Sequence, residues 1–241
     1  KVEMYDSLKS IMQGDGWTDH IPVIKNGTQD IEHHLLHFLE NHDEQRIASP
    51  DFAGNAEKGK PAMVVSATMT TAPLMIYFGQ EVGEPAAENA GFGSSTRTSI
   101  FDYIGVPHHQ RWVNNKKFDG GQLSEDEADL RDFYRRLLNF TVNSSALMGA
   151  YQDIHFYNRD HAEYYNHHVL SYVRWSENEK LIIISNFDAN DWFGFELKLP
   201  ENIVKEWQLS DGEHTITDVL YGVEKTLKVE NGFAQVRIDI N

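Results

Sequence analysis

The sequence predicts an α/β region over residues 1–150, followed by an all-β domain over residues 151–241. Two apolar runs, at residues 35–39 and 74–78, have the length of buried strands, and an apolar helix beginning near Pro61 separates them. Strand, helix and strand in this order are typical of parallel strands joined by a crossover helix. After about Tyr151 the pattern changes to short strand-like runs divided by turn residues, which indicates antiparallel pairing.

Helices in the first region are predicted from apolar spacing and from capping residues. Val2, Tyr5, Leu8 and Met12 recur at roughly helical spacing and predict a helix over residues 1–12. The apolar segment 62–72, which ends before a proline, predicts a second helix. The tetrapeptide at residues 124–127, Ser-Glu-Asp-Glu, is a capping box, and the apolar stripe after it predicts a long amphipathic helix.

The second region is predicted to be a small β-sandwich. Val236, Ile238 and Ile240 alternate with polar residues, as expected of a half-buried antiparallel strand. Asp-rich and Asn-Gly segments between the apolar runs supply turns. The predicted strands lie at residues 169–175, 181–187, 192–199, 215–221 and 233–240.

Composition excludes several classes of function. The 241 residues include 37 acidic and 21 basic side chains, a formal net charge of −16, so neither nucleic acid nor an anionic membrane surface is an expected partner. The absence of cysteine excludes disulfides, thiolate metal sites and a cysteine nucleophile. The longest apolar run, near residues 181–184, is far shorter than the roughly 20 residues that a membrane-spanning helix needs.

Chemistry is most strongly indicated at residues 38–46, Phe-Leu-Glu-Asn-His-Asp-Glu-Gln-Arg, directly after the first predicted strand. A carboxylate at the end of a buried strand can meet a developing positive charge. Phe38, Asn41, His42 and Asp43 match the Phe-x-x-Asn-His-Asp motif that follows the seventh strand in the α-amylase family of glycoside hydrolases, and the chain resembles that family here.

The resemblance extends over nearly the whole chain. Residues 73–83, Pro-Leu-Met-Ile-Tyr-Phe-Gly-Gln-Glu-Val-Gly, are similar to the family's eighth strand and the loop after it. The helix containing residues 132–138 is similar to its eighth helix, and the all-β tail to its usual C-terminal domain. The implied fold is the last part of a (β/α)₈ barrel followed by a β-sandwich.

The implied activity is cleavage of α-1,4-glucosidic bonds of starch-type glucans with retention, through an oxocarbenium-like transition state. Asp43 matches the carboxylate that stabilises this state, and His42 matches the histidine that hydrogen-bonds sugar hydroxyls. Asn41 and Arg46 are predicted to bind substrate, and Glu81 to support the site. Hydrolysis is favoured over glucosyl transfer.

The family's nucleophile and acid/base motifs do not occur in this sequence and are expected upstream of Lys1. We therefore expect a fragment whose partner is the missing N-terminal part of the barrel, and which is inactive alone. No cofactor is predicted within the chain, although the complete enzyme can hold a structural calcium ion, whose usual ligands lie upstream. A secreted or periplasmic bacterial protein is favoured over a cytoplasmic one.

Simpler interpretations stay open for several residues. The segment 41–43 is also compatible with a polar turn, and Arg46 and Glu81 either orient catalytic carboxylates or form a structural ion pair. The three adjacent histidine pairs are not expected to bind zinc, because neighbouring residues on a strand face opposite ways. Core packing is favoured over sugar stacking for the tryptophans at 112, 175, 192 and 207. A non-catalytic, carbohydrate-binding relative is the remaining alternative.

Overall fold

The computed structural model describes residues 2–87 and 105–240. Within these ranges no helix has both the length and the apolar character needed to cross a membrane. The α-helices are α1 (Val2–Met12), α2 (His20–Asn26), α3 (Lys60–Thr68), α4 (Pro107–Val113), α5 (Glu125–Asn143), α6 (His155–His161) and α7 (Glu201–Glu206).

The predicted capping box of α5 is confirmed. The Ser124 hydroxyl accepts the Glu127 N–H at 3.3 Å, and the Glu127 carboxylate accepts the Ser124 N–H at 2.9 Å. These reciprocal bonds satisfy donors that the first turn of a helix otherwise leaves unpaired. One face of α5 is buried through Leu130, Phe133 and Leu137, so the apolar stripe packs as the sequence predicts.

The two predicted barrel strands are much shorter than expected. Residues 35–39 and 74–78 meet only at a parallel bridge between His37 and Leu74. The His37 N–H donates to Pro73 O, and the Met75 N–H donates to His37 O, each at 2.9 Å. The parallel direction is as predicted, with α3 between the two segments. A longer strand pair needs backbone N–H and C=O partners along its whole length. The 3₁₀ turn at residues 32–34 interrupts the extended backbone just before the first segment, which limits the pairing.

The C-terminal region forms two antiparallel sheets, with strand orders β1-β2-β3 and β4-β7-β6-β5. The predicted strand over 215–221 is wrong beyond Thr217, because the Asp218 carboxylate accepts the N–H groups of Leu220 and Tyr221 and forms a turn. Strand β6 and the short helices α6 and α7 were not predicted. The strands are β1 (Ala150–Asp153), β2 (Val169–Trp175), β3 (Lys180–Asn186), β4 (Phe193–Leu199), β5 (Gly212–Thr217), β6 (Glu224–Glu230) and β7 (Phe233–Ile240).

Strand β2 connects two hydrophobic cores. Its Leu170 and Tyr172 pack in a core with α1, α3 and α5, whereas Val169 and Val173 pack in a second core with the four-stranded sheet and α7. This division follows from the alternation of side chains along a strand. The Tyr172 hydroxyl is also within 2.6 Å of Thr68 Oγ1 on α3. The three-stranded sheet is therefore a wall shared by both cores, and a domain boundary at residue 150 stays a prediction.

A buried polar network crosses the same junction. His155, which is fully buried, contacts Asp19 Oδ1 at 2.7 Å through Nε2 and the Tyr165 hydroxyl at 2.8 Å through Nδ1. The Tyr165 hydroxyl lies 2.9 Å from Ser171 Oγ, and Arg159 donates to Asp19 at 2.9 Å. Burial lowers the pKa of His155, and Asp19 opposes this effect only in part.

We expect His155 to make the free energy of unfolding depend on pH. Its lowered pKa keeps the folded imidazole neutral, whereas the unfolded chain takes up a proton near the ordinary value of about 6.5. This contribution is fully present above that value and is lost as the pH falls below it, with a slope of at most about 1.4 kcal/mol per pH unit. Urea unfolding at a series of pH values measures that slope.

The matched comparison is between the variants His155→Gln and His161→Gln, since His161 is exposed. His155→Gln is expected to flatten the pH dependence below about pH 6.5, and His161→Gln to preserve it. Equal slopes in the native protein and in His155→Gln would show that the imidazole does not contribute.

Candidate active site

The loop after the parallel bridge is organised by Asn41. Its side-chain oxygen accepts the backbone N–H groups of Asp43 at 2.7 Å and of Glu44 at 2.9 Å. An asparagine bonded in this way to the backbone that follows it forms an Asx turn, which fixes the course of the next residues. The Lys9 ammonium of α1 donates a hydrogen bond of 2.6 Å to Gln45 Oε1, two residues after Asp43. The turn therefore has a defined conformation and is anchored to a helix.

The turn presents His42 and Asp43 to solvent. His42 Nε2 lies 3.1 Å from Asp43 Oδ2, and the two side chains are 56% and 74% exposed. A carboxylate and an imidazole this accessible can accept and donate hydrogen bonds to hydroxyl groups of a ligand. The carboxylate can also stabilise a positive charge that develops nearby.

Arg46 lies beneath this surface and is fully buried. Its guanidinium Nη1 donates to Glu40 Oε2 at 2.7 Å, and the other oxygen of that carboxylate accepts the Ile47 N–H at 2.7 Å. Glu40 is itself 1% exposed. Burial raises the pKa of the Glu40 carboxyl, and the Arg46 guanidinium acts in the opposite direction. The buried Glu40–Arg46 ion pair therefore connects the two ends of the loop 40–47.

Arg46 also joins the two predicted strand ends. Its Nη1 donates to Phe78 O at 2.8 Å, and the guanidinium carbon lies 4.7 Å from the Tyr77 ring centroid and 4.9 Å from that of Phe78. The second loop turns at Gly79, where φ is +80° and an added Cβ would lie 3.1 Å from the Glu84 Cβ. Glycine suits both the left-handed conformation and this close approach.

A 3₁₀ turn at residues 80–82 follows, and it contains Glu81. Gln80 is buried, accepts the Tyr77 N–H at 3.1 Å and donates to the Tyr134 hydroxyl of α5 at 3.2 Å. Glu84 is also fully buried, and its carboxylate accepts the His108 and His109 N–H groups of α4 at 2.9 and 3.3 Å. Side chains from this loop therefore bind it to two helices.

Two comparisons of the sequence, with family models and with curated proteins, give no match. Solved structures do match. A noncanonic maltogenic α-amylase from Thermotoga neapolitana aligns with 99% of this chain and 48% of its own, with a TM-score of 0.65 and 16% identity. The structure of an AmyP variant with maltotriose aligns over 98% and 46%, with a TM-score of 0.62 and 21% identity. A cyclomaltodextrin glucanotransferase aligns over 98% and 41%, with a TM-score of 0.60 and 15% identity.

The chain has the fold of the C-terminal portion of an α-amylase. It spans about half the length of the structures that it matches. Helices with antiparallel sheets in this arrangement confirm the predicted fold class: the end of an α/β region followed by a β-sandwich. At these identities the likeness concerns the fold.

Within this α-amylase-type fold, Asn41, His42 and Asp43 lie together on one turn, and Arg46 connects that turn to the loop that carries Glu81. Arg46, which the sequence predicts to bind substrate, is enclosed in this structure and forms an ion pair with Glu40. The roles of these residues toward a substrate stay predictions. In residues 2–87 and 105–240, no group of three or more His, Asp or Glu side chains is arranged to hold a metal ion.

Sequence reasoning missed Glu40, Gln80 and Glu84. Glu40 ends the apolar run 35–39, and an acidic residue at such a position, with an arginine six residues later, signals a buried ion pair. Gln80 and Glu84 give no comparable signal, because their partners lie on α4 and α5, more than 20 residues away.

Proposed function

We propose that this chain is the C-terminal part of an α-amylase-family glycoside hydrolase that cleaves α-1,4-glucosidic bonds of starch-type glucans with retention. The observation that carries the proposal is the Asn41-His42-Asp43 turn, held open to solvent above the buried Arg46–Glu40 pair in an α-amylase-type fold. The fold supports the proposal together with the motif, and the similar structures named above are 15–21% identical to this chain.

In this proposal Asp43 stabilises the positive charge that develops at the anomeric carbon in the transition state. His42 and Asn41 bind sugar hydroxyls next to the bond that breaks. Their contacts accelerate the reaction to the extent that they strengthen as the charge develops. We assign Arg46 a positioning role through Glu40 and Phe78, because it has no exposed surface in this structure.

The nucleophile and the acid/base carboxylate are assigned to residues upstream of Lys1, which accords with the chain spanning about half of the matched structures. The chain alone is then expected to be inactive. Glucosyl transfer is the second candidate, since one of the similar structures is a cyclomaltodextrin glucanotransferase. Transfer and hydrolysis differ in whether a sugar or water reaches the covalent intermediate.

The test uses the complete protein that contains this chain, with maltoheptaose as substrate and ¹H NMR to follow the anomeric protons. Retaining hydrolysis gives shorter oligosaccharides whose new reducing ends are first in the α configuration. Transfer gives products longer than maltoheptaose. Initial β products, or no turnover of α-1,4-glucans together with turnover of β-1,4-glucans, would contradict the proposal.

A further inference from the structure

The chain on both sides of the Asn41-His42-Asp43 turn contacts one helix, α1. Before the turn, the Tyr5 ring stacks on the Phe38 ring, with centroids 5.6 Å apart and planes inclined by 27°. After the turn, the Lys9 ammonium donates to Gln45 Oε1 at 2.6 Å. Tyr5 and Lys9 are four residues apart, so they lie on the same face of the helix. One helix face therefore meets the chain both before and after the turn.

This face of α1 is fixed by the hydrophobic core. Tyr5 is 1% exposed, and its ring also meets the Phe52 ring edge to face, with centroids 5.7 Å apart. Leu8, the next buried residue of the helix, is fully enclosed. The Lys9 ammonium lies beside the Tyr5 ring, 6.0 Å from its centroid. Because close-packed side chains have little room to move, Lys9 extends toward the loop from a fixed base.

The turn, in contrast, depends on hydrogen bonds for its position. The Asp43 side chain is 74% exposed, so its location follows mainly from the backbone that carries it. The Asn41 side chain accepts the Asp43 N–H, and the bond from Lys9 holds Gln45 two residues later. A charge-assisted hydrogen bond of this kind is about twice as strong as one between neutral groups.

A carboxylate that stabilises a transition state must be placed within about 0.5 Å of its working position, and a misplacement of about 1 Å can cost about 100-fold in rate. Lys9 makes no contact with the solvent-exposed side of the turn that the structure records, so it acts on Asp43 through Gln45. We infer that Lys9 is a positioning residue for Asp43, an inference that rests on the proposed function.

The test measures kcat and KM of the complete protein on maltoheptaose. Lys9→Met, which keeps most of the side-chain length but has no donor, is expected to lower kcat about tenfold and leave KM unchanged, because Asp43 acts on a charge present only in the transition state. Lys9→Arg keeps a donor and is expected to restore part of the loss. Lys198→Met is the matched control, since Lys198 on β4 also donates a short hydrogen bond, to His161 O at 2.5 Å, and is expected to retain native kcat.

Two double variants identify the groups through which Lys9 acts. Gln45→Leu removes the acceptor, and its combination with Lys9→Met is expected to lower kcat no further than either change alone. Lys9→Met added to Asp43→Asn is expected to have little further effect, because the carboxylate that Lys9 positions is already gone. Effects that multiply in either pair would overturn the inference.

Urea unfolding of the same variants separates a change of position from a loss of stability. If Lys9→Met is unstable, Gln45→Leu carries the test from the loop side, and native kcat in that variant would overturn the inference. Native kcat in a folded Lys9→Met would overturn it too and leave cleavage at Asp43 unaffected. Failure of the proposed function would appear separately, as no cleavage of maltoheptaose by the native protein, and this inference would fail with it.

Discussion

Replacing Asp43 with Asn is expected to lower kcat of the complete enzyme on maltoheptaose by about 10³-fold, the scale of losing one group that stabilises transition-state charge. The amide has nearly the shape of the carboxylate but carries no negative charge to meet the developing cation. Folding is expected to be unaffected, because the Asp43 side chain is 74% exposed. Its interaction with His42 is at the surface and contributes little to stability.

The measurement is steady-state kinetics together with urea unfolding of the same preparations. Asp51→Asn is the matched control, since Asp51 is an exposed aspartate beyond the loop 40–47. We expect this control to retain native turnover. If Asp43→Asn kept near-native kcat, the transition-state role would be refuted. A large loss of stability in Asp43→Asn would mean that any loss of activity arises from the fold.

Replacing Arg46 with Met is expected to lower the free energy of unfolding by about 3–5 kcal/mol, the cost of removing one partner from a buried ion pair. The methionine side chain fills part of the space, but Glu40 is left without its cation while remaining 1% exposed. The hydrogen bond to Phe78 O is lost as well, so the two loops lose this connection. Activity is expected to fall along with stability, because the 41–43 turn loses its support.

Two further variants isolate the buried charge as the cause. The double variant Arg46→Met, Glu40→Leu removes both charges and is expected to recover much of the lost stability, as apolar replacements of buried pairs often do. Arg135→Ala removes an exposed ion pair with Asp132 on α5, and is expected to cost at most about 1 kcal/mol. Equal unfolding free energies for the single and double variants would contradict this explanation.

Local sequence signals predict the parts of the fold that depend on neighbouring residues. The capping box at Ser124 predicts the start of α5, because its bonds span only three residues. The change of pattern near Tyr151 predicts the two sheets, since alternation along a strand depends on which face is buried. The composition of the segment 41–43 likewise indicates a polar turn whose side chains can take part in binding or catalysis.

Distant contacts decided the features that the sequence did not predict. In strand β6, Leu227 and Val229 alternate with charged residues, a local signal that the sequence analysis missed, and pairing with β5 and β7 fixes the bounds of the strand. The apolar runs at 35–39 and 74–78 have the composition of strands, but strand formation needs partner groups, and in this chain they meet at one bridge.

The same distinction holds for the functional residues. The sequence by itself determined that an asparagine, a histidine and an aspartate follow an apolar segment, and the α-amylase resemblance drawn from them is matched by the fold. Only the tertiary structure decided that Arg46 reaches Phe78 O on the second loop and that Trp175 and Trp207 lie against each other. Burial and proximity arise from packing of segments distant along the chain, and no local pattern of residues encodes them.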